Sequence, residues 1–189
     1  MCLAIALGIL TGCLMVVPAD SLEVTYCWEL GRDTETPDAW ELWFDNPPNR
    51  QFKTYNDLRV AGRLEFPGDS YFTWSEDYQA IVFGTSESSR ALGIRSVDRM
   101  IPYLGENELR IKALVELESG NLNCTIYYYK SSGEFLGNNS LGINQSEGWQ
   151  EFVLKLEPPA ETTHFALAII FENSVGNVAL KEIRMGKTD

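Results

Sequence analysis

The chain has 189 residues, of which 44% are hydrophobic and 22% charged, so it can bury a core without a metal or disulfide framework. Its formal net charge of -12 argues against binding to nucleic acid, because a phosphate backbone requires a face rich in Lys and Arg. The same charge disfavours peripheral binding to anionic lipid. Neutral ligands, cations and basic partner proteins are compatible with it.

The first predicted element is the apolar segment 1–19, which contains no charged residue. Three interpretations fit it: a cleaved signal peptide, a lipoprotein signal or a membrane anchor. Small residues at 17–19 suit cleavage before Asp20, and the lipobox-like stretch 10–13 would place a lipid on Cys13. A signal of either kind normally begins with Lys or Arg, which this segment lacks. Most of these interpretations make the remaining chain extracytoplasmic, secreted or at the cell surface, with membrane contact through this segment alone.

Residues 20–57 are predicted to be an irregular N-terminal segment that contributes edge strands. Short strands are predicted over 22–26 and 39–44, where apolar and polar residues alternate. Prolines divide the rest of the segment into turns. Trp40 and Trp43 lie in its acidic part, for which a loop over one sheet is the alternative to a strand.

From residue 58 a period of two predicts strands nearly everywhere. The clearest strand is 109–117, where apolar residues alternate with charged ones, and the turn residues 119–121 follow it. The strands 152–156 and 165–171 are separated by Pro158 and Pro159, which cannot serve a central ladder. The other strands are predicted over 58–66, 71–74, 80–84, 91–95, 124–129, 134–137 and 178–185.

Two details of the last strands are also predicted. Both parities of 165–171 are apolar, so this strand is expected to be buried on both sides. In the closing strand the apolar parity switches between Leu180 and Ile183, which indicates a bulge. No helical period is sustained after residue 20. About nine to eleven short strands indicate an all-β fold, an antiparallel two-sheet β-sandwich or jelly roll, as one domain over 58–189.

From about Tyr71 to Met185 the chain resembles the galactose-binding-like β-jelly-roll superfamily, which includes many carbohydrate-binding modules. The matching features run in order: the strands 91–94 and 108–118, the hairpin 126–133, Gly148-Trp149, the corner 158–160 and a closing strand after 176–177. The resemblance implies that Trp149 packs against the sandwich, and we expect its ring to lie inside. It also implies a structural calcium, but the closing stretch 178–182 has no Asp and its Lys181 would repel a cation. We therefore predict no cofactor.

Catalytic patterns are weak in this sequence. His164 is the only histidine and is predicted to lie on the surface or at a strand edge. It completes no Cys-His or Ser-His-Asp set, and no His/Cys metal spacing is present. The chain has 27 acidic residues, but nothing selects a pair of carboxylates for glycoside hydrolysis. We therefore predict no catalytic residue and no metal ligand.

Binding is the better hypothesis, because exposed Trp and Tyr rings stack on the apolar faces of sugars while polar side chains contact the hydroxyls. Each aromatic has core packing as its competing interpretation. One candidate region lies around residues 71–78, where aromatic and acidic residues are mixed next to turns. In a second candidate region, the strand 124–129, Tyr127 and Tyr129 share one face and Tyr128 lies on the other. The predicted carbohydrate-binding residues are Tyr71, Trp74, Glu76, Asp77, Tyr78, Tyr127 and Tyr129.

These observations predict a non-catalytic exported carbohydrate-binding module that attaches a surface protein or an enzyme to glycan. The alternative is a structural or protein-interaction ectodomain, and a glycan hydrolase or lyase is the third hypothesis. In an exported chain, Cys27 and Cys124 are candidates for a disulfide, with two buried free thiols as the alternative.

Overall fold

The structure, a computed structural model, describes residues 22–32, 40–89, 91–96 and 101–188. The predictions for residues 1–19, including lipidation of Cys13, lie outside these ranges. In the described ranges no helix is long and apolar enough to cross a bilayer. The elements are β1 (Glu23–Glu29), β2 (Trp40–Asn46), β3 (Asn49–Thr54), α1 (Tyr55–Ala61), β4 (Arg63–Phe66), β5 (Ser70–Ser75), β6 (Ala80–Ser89), β7 (Ala91–Ser96), β8 (Ile101–Pro102), β9 (Glu108–Tyr129), β10 (Phe135–Ile143), β11 (Gln150–Lys155) and β12 (His164–Lys187).

Two long antiparallel strands, β9 and β12, organise the fold because each contributes to both halves of a curled sheet. We name the half with the order β3-β2-β7-β12-β9-β10 sheet I. Sheet II has the order β4-β5-β6-β12-β9-β11, and β1 pairs with the end of β12. Every strand pair is antiparallel. The predicted all-β sandwich or jelly roll is therefore confirmed.

The core lies between the inner faces of the two sheets. Phe83 of sheet II and Phe171 of sheet I are fully buried, with their ring centroids 5.1 Å apart. Phe44 and Phe66 make a second contact between the halves, also at 5.1 Å. The predicted alternation over 109–117 and the burial of both faces of 165–171 are confirmed, as is a bulge after Leu180.

The sequence pattern predicts turns or gaps between separate strands at the positions where β9 and β12 bend. The stretch 119–121 lies inside β9, and residues 172–177 lie inside β12. Gly120 and Gly176 have φ angles of +82° and +129° and approach the neighbouring strand closely. A glycine that bends a strand between two sheets has the same local sequence as a glycine in a tight turn. The sequence pattern therefore could not separate the two cases.

Residues 58–66 do not form the single strand that their pattern predicts. Helix α1 ends at Ala61, and β4 begins only at Arg63. Thr54 caps the helix by accepting from the Asp57 N–H, while the Asp57 carboxylate accepts from the Thr54 N–H. This capping box, together with burial of Leu58, outweighs the apparent period of two. The sequence signal for it was the spacing of Thr54 and Asp57.

The described residues 40–57 are more regular than predicted. Strand β2 lies between β3 and β7, so it is not an edge strand. Its residues Trp40, Leu42 and Phe44 point into the core, while Glu41 and Trp43 point to the outer face. The prediction that Trp40 and Trp43 lie in a strand is therefore confirmed, and the alternative of a loop is wrong.

The proposed disulfide between Cys27 and Cys124 is wrong. Cys27 is exposed on β1, whereas Cys124 is fully buried on β9, and both are free thiols. Their strands pair with different parts of β12, since Cys27 lies opposite Arg184 and Cys124 opposite Ile169. Burial raises the pKa of the Cys124 thiol far above its usual range.

We expect a thiol reagent such as iodoacetamide to label Cys27 in the folded protein and Cys124 only after denaturation, because thiolates are the reactive form and Cys124 is inaccessible. Peptide mapping by mass spectrometry distinguishes the two positions. A Cys27–Cys124 cross-linked peptide from non-reduced protein would contradict this description.

Candidate functional site

A shallow groove of about 230 Å³ lies on the outer face of sheet I. Its floor is formed by Ala166 and Ala168 of β12, whose small side chains leave the strand lower than its neighbours. Both alanines are buried although they point outward, because larger side chains stand on either side. The groove therefore runs along β12, between one wall on β2 and β7 and another on β9.

The first wall consists of Trp43 on β2 and Arg95 on β7. Phe52, 43% exposed on β3, stacks beside Trp43 with centroids 6.3 Å apart and ring planes 17° apart. The Arg95 guanidinium carbon lies 5.1 Å from the Trp43 centroid and 4.6 Å from that of Phe52. The Arg95 Nε and Nη2 donate to Oε2 of Glu41 at 3.1 and 3.0 Å. This wall combines two stacked rings with a cation that is already paired.

The second wall consists of Tyr127 and Tyr129 on β9, which face outward as their parity predicts. Phe135, 53% exposed on β10, lies 6.4 Å from Tyr127 and 5.9 Å from Tyr129 by ring centroids. Tyr128 points into the core, and its hydroxyl donates to Asn139 Oδ1 at 2.7 Å. Burial raises the pKa of Tyr128 above its usual range. Tyr127 and Tyr129 are the predicted residues that the structure brings together.

Several polar groups lie around the groove on the outer face of sheet I. Thr125 and Ser140 share a hydrogen bond of 3.0 Å on the β9–β10 side. His164 lies opposite Tyr129 on the same face, half-buried, with Nδ1 3.0 Å from Thr163 Oγ1. The indole N–H of Trp43 is buried and has no hydrogen-bond partner among the described residues. Buried donors of this kind are usually satisfied by ordered water or by a ligand.

Tyr71 lies far from this groove, on the outer face of sheet II. The Arg63 guanidinium stacks on its ring at 4.2 Å, and its hydroxyl donates to Asn177 Oδ1 at 2.7 Å. Burial raises the pKa of Tyr71, although the charge of Arg63 opposes this shift. These residues line a separate cleft of about 380 Å³ together with Asp69 and Glu118.

The other predicted site residues occupy a third place, around the β5–β6 turn. Trp74 packs edge-to-face on Tyr55 with centroids 5.0 Å apart, so part of its surface belongs to the core. Glu76 and Trp74 line a cleft of about 340 Å³. Asp77 and Tyr78 are exposed on the turn itself. The seven predicted residues are therefore divided over three surfaces.

Trp149 packs on the outer face of sheet II and not inside the sandwich, which differs from the expectation. It covers a small cluster of Ala80, Leu114 and Ala179, and Tyr78 meets it edge-to-face with centroids 5.7 Å apart. The reason is parity, since Leu114 and Ala179 point away from the core formed by their neighbours on β9 and β12.

In the described part of the chain, no group of three or more His, Cys, Asp or Glu side chains is placed to hold a metal ion. The predicted lack of a cofactor stays a prediction.

No family model and no curated protein matches the chain. Among solved structures, it is similar to the apo carbohydrate-binding module CBM1 of BiXyn10A, with 13% identity, a TM-score of 0.47 and 87% and 98% of the two chains covered. The CsCBM6-3 module from Clostridium stercorarium, in complex with cellobiose, has 12% identity, a TM-score of 0.38 and coverage of 66% and 86%. Several other similar solved structures are carbohydrate-binding modules of family 29.

The enzymatically active domain of tailspike protein 4 from bacteriophage CBA120 is also similar, with 13% identity and a TM-score of 0.45. That match covers 57% of this chain and 15% of the tailspike chain. At such identities the similarity concerns the fold alone.

Proposed function

We propose that this chain is a non-catalytic carbohydrate-binding module that holds an exported surface protein or enzyme on glycan. The observation that supports the proposal is the groove of sheet I, with a floor of alanine and walls of aromatic rings. A sugar ring has apolar C–H faces and a polar edge. Stacking on Trp or Tyr covers the faces, while hydroxyls and amides nearby contact the edge.

The shape of the groove favours a chain over a single small molecule. It is shallow, small in volume and floored by alanines of β12, so an extended ligand can lie along this strand with only part of its length in the groove. Exposed Phe52 and Phe135 widen the apolar walls on the two sides. An extended oligosaccharide that lies along β12 would contact both walls at once.

The surroundings support binding over hydrolysis. Glycosidases place two carboxyl groups about 5 to 9.5 Å apart across the scissile bond. In the described part of the chain, the residues that line the groove include no carboxylate. Glu41 beside it is committed to Arg95.

An assembly role is less well supported. A protein–protein interface normally requires a contiguous apolar patch. The exposed large apolar residues among those described lie on seven different elements or turns: Val24, Phe52, Val60, Tyr78, Leu104, Phe135 and Val153. Two of them, Phe52 and Phe135, flank the groove and are explained by it.

Replacing Tyr127 with alanine is expected to weaken glycan binding at least about tenfold, because loss of a stacking ring removes apolar contact worth about 1.4 kcal/mol or more. Isothermal titration of the wild-type chain and of Tyr127→Ala with cellohexaose, xylohexaose and mannohexaose measures this change. Circular dichroism shows whether the variant remains folded.

The matched variant is Tyr78→Ala, which removes an exposed ring from the β5–β6 turn on the other sheet. We expect it to bind as the wild type does. Binding lost in Tyr78→Ala and kept in Tyr127→Ala would move the site to that turn. A wild-type chain that binds none of the three hexasaccharides at millimolar concentration would contradict the function.

A further inference from the structure

The Glu41–Arg95 ion pair borders the groove, since Arg95 lines it and Glu41 lies beside it, and the arrangement of this pair bears on which glycans the site accepts. Glu41 and Arg95 lie directly opposite each other on β2 and β7. Their side chains are 29% and 27% exposed, so both are partly withdrawn from solvent. Two nitrogens of Arg95 donate to the same carboxylate oxygen, which fixes the guanidinium in place.

Arg95 also has a groove-facing side. Its neighbour on β12 is Ala168, whose methyl group leaves the space above the floor open. The guanidinium could extend over that floor, but it turns toward Glu41 and lies over the rings of Trp43 and Phe52. The cation therefore serves as part of the wall, and its charge is balanced before any ligand arrives.

Two other cations described near the groove are also paired with carboxylates. Arg50, on the same face, donates to Asp45 at 2.8 Å and is balanced in turn. Beyond Tyr129, Lys130 is flanked by two carboxylates, those of Glu134 at 3.3 Å and Glu161 at 2.9 Å. A net charge of -12 on the whole chain repels an anionic ligand at long range, and at short range the described cations Arg50, Arg95 and Lys130 are each paired with a carboxylate.

We infer that the Glu41–Arg95 pair makes the groove selective for uncharged glycan chains, and that it excludes chains of uronic acids. This inference rests on the function proposed above and specifies its ligand class. A uronate carboxylate that approached Arg95 would meet the Glu41 carboxylate on the same guanidinium, and like charges at that distance disfavour binding. Neutral sugars carry no such penalty and can stack beside the guanidinium.

The test compares the three neutral hexasaccharides with hexagalacturonate by isothermal titration of the full chain at low ionic strength. We expect at least one neutral hexasaccharide to bind the wild type about tenfold or more tightly than hexagalacturonate does. In Glu41→Gln, which removes the charge and keeps the shape, the ratio of the two association constants should shift toward hexagalacturonate about tenfold. Added salt should reduce that shift, because it screens the released charge of Arg95.

The matched control is Glu65→Gln, which removes a carboxylate that pairs with Arg63 at 2.9 Å on sheet II. It changes the net charge by the same amount, away from the groove, and should leave the ratio within about threefold, since long-range charge is screened. An equal shift in both variants would reduce the effect to net charge and overturn the inference.

Two further outcomes are decisive. A wild-type chain that binds hexagalacturonate as tightly as the neutral hexasaccharides contradicts the selectivity and leaves the proposed glycan binding in place. This comparison needs no variant and so does not depend on how Glu41→Gln folds. A chain that binds none of the four hexasaccharides contradicts the proposed function itself, and the selectivity with it.

Discussion

Gly176→Ala is expected to lower the free energy of unfolding by more than about 4 kcal/mol, or to prevent folding. Gly176 lies where β12 passes from sheet I to sheet II, opposite Leu117 of β9 and Thr85 of β6. A β-carbon there would lie 2.3 Å from the Glu116 carbonyl oxygen and 2.7 Å from the Leu117 α-carbon. Both are backbone atoms of a paired strand and cannot move aside. The φ angle of +129° is also unfavourable for any other residue. Urea unfolding followed by tryptophan fluorescence measures the change.

Gly142→Ala is the matched control on the edge strand β10. A β-carbon there would meet only Asn121 Nδ2 at 3.1 Å, at the end of a flexible side chain, and Asn123 Oδ1 at 3.8 Å. We expect the change in stability to stay within about 1 kcal/mol. A loss of less than about 1 kcal/mol in Gly176→Ala would show that the bend tolerates a side chain, so that it does not determine the path of β12.

The strand pattern of this protein is readable from the sequence because one face of most strands is buried. In β9, the residues 109, 111, 113 and 115 are buried in the core as predicted, and they alternate with Arg110, Lys112 and Glu116 and with Leu114, which packs on the outer face. The bends of β9 and β12 from one sheet to the other cannot be predicted in the same way. The local sequence around Gly120 and Gly176 is typical of turns. Only their contacts with the neighbouring strand show that β9 and β12 continue through these positions.

The candidate site is less predictable than the fold, because its walls meet through long-range pairing. Tyr127 and Tyr129 could be found from their shared parity on one strand. Trp43 and Arg95 could not, since their position beside those tyrosines depends on the order β2-β7-β12-β9. The alanines of β12 carried a signal, because Ala166 and Ala168 alternate with large residues and so predict a low outer face.

In the region 71–78, the sequence predicts a single binding site that the structure does not form. Its mix of aromatic and acidic residues resembles a binding loop, but alternation along β5 turns Trp74 toward the core side and Tyr71 to the outer face. Composition alone identifies residue types that suit a sugar. It does not show whether their rings share one surface, and in this fold they do not.

Glu108→Gln is expected to lower the free energy of unfolding by about 2 to 4 kcal/mol at neutral pH, because it removes the acceptor at the centre of a charge network. The Glu108 side chain is only 2% exposed. Lys155 on β11 and Arg110 both donate to its carboxylate, and Arg110 also reaches Glu151 at 3.5 Å. Without the carboxylate, the Arg110 guanidinium, 18% exposed, and the Lys155 ammonium, 66% exposed, both lose their charged acceptor. Glu65→Gln, in the exposed pair with Arg63, should cost less than about 0.5 kcal/mol by the same urea titration.

The pH dependence provides an independent test of the same network. Burial raises the pKa of Glu108, but the hydrogen bonds from Lys155 and Arg110 outweigh it, so the folded-state pKa lies below the ordinary value of 4.5. The unfolded state therefore takes up the proton first as the pH falls. The contribution of Glu108 is fully present above the ordinary value and is lost as the pH falls through the folded-state pKa. The stability difference between wild type and Glu108→Gln should consequently narrow below about pH 4.5. A difference that stays constant from neutral pH to about pH 3 would mean that the cost comes from packing and not from charge.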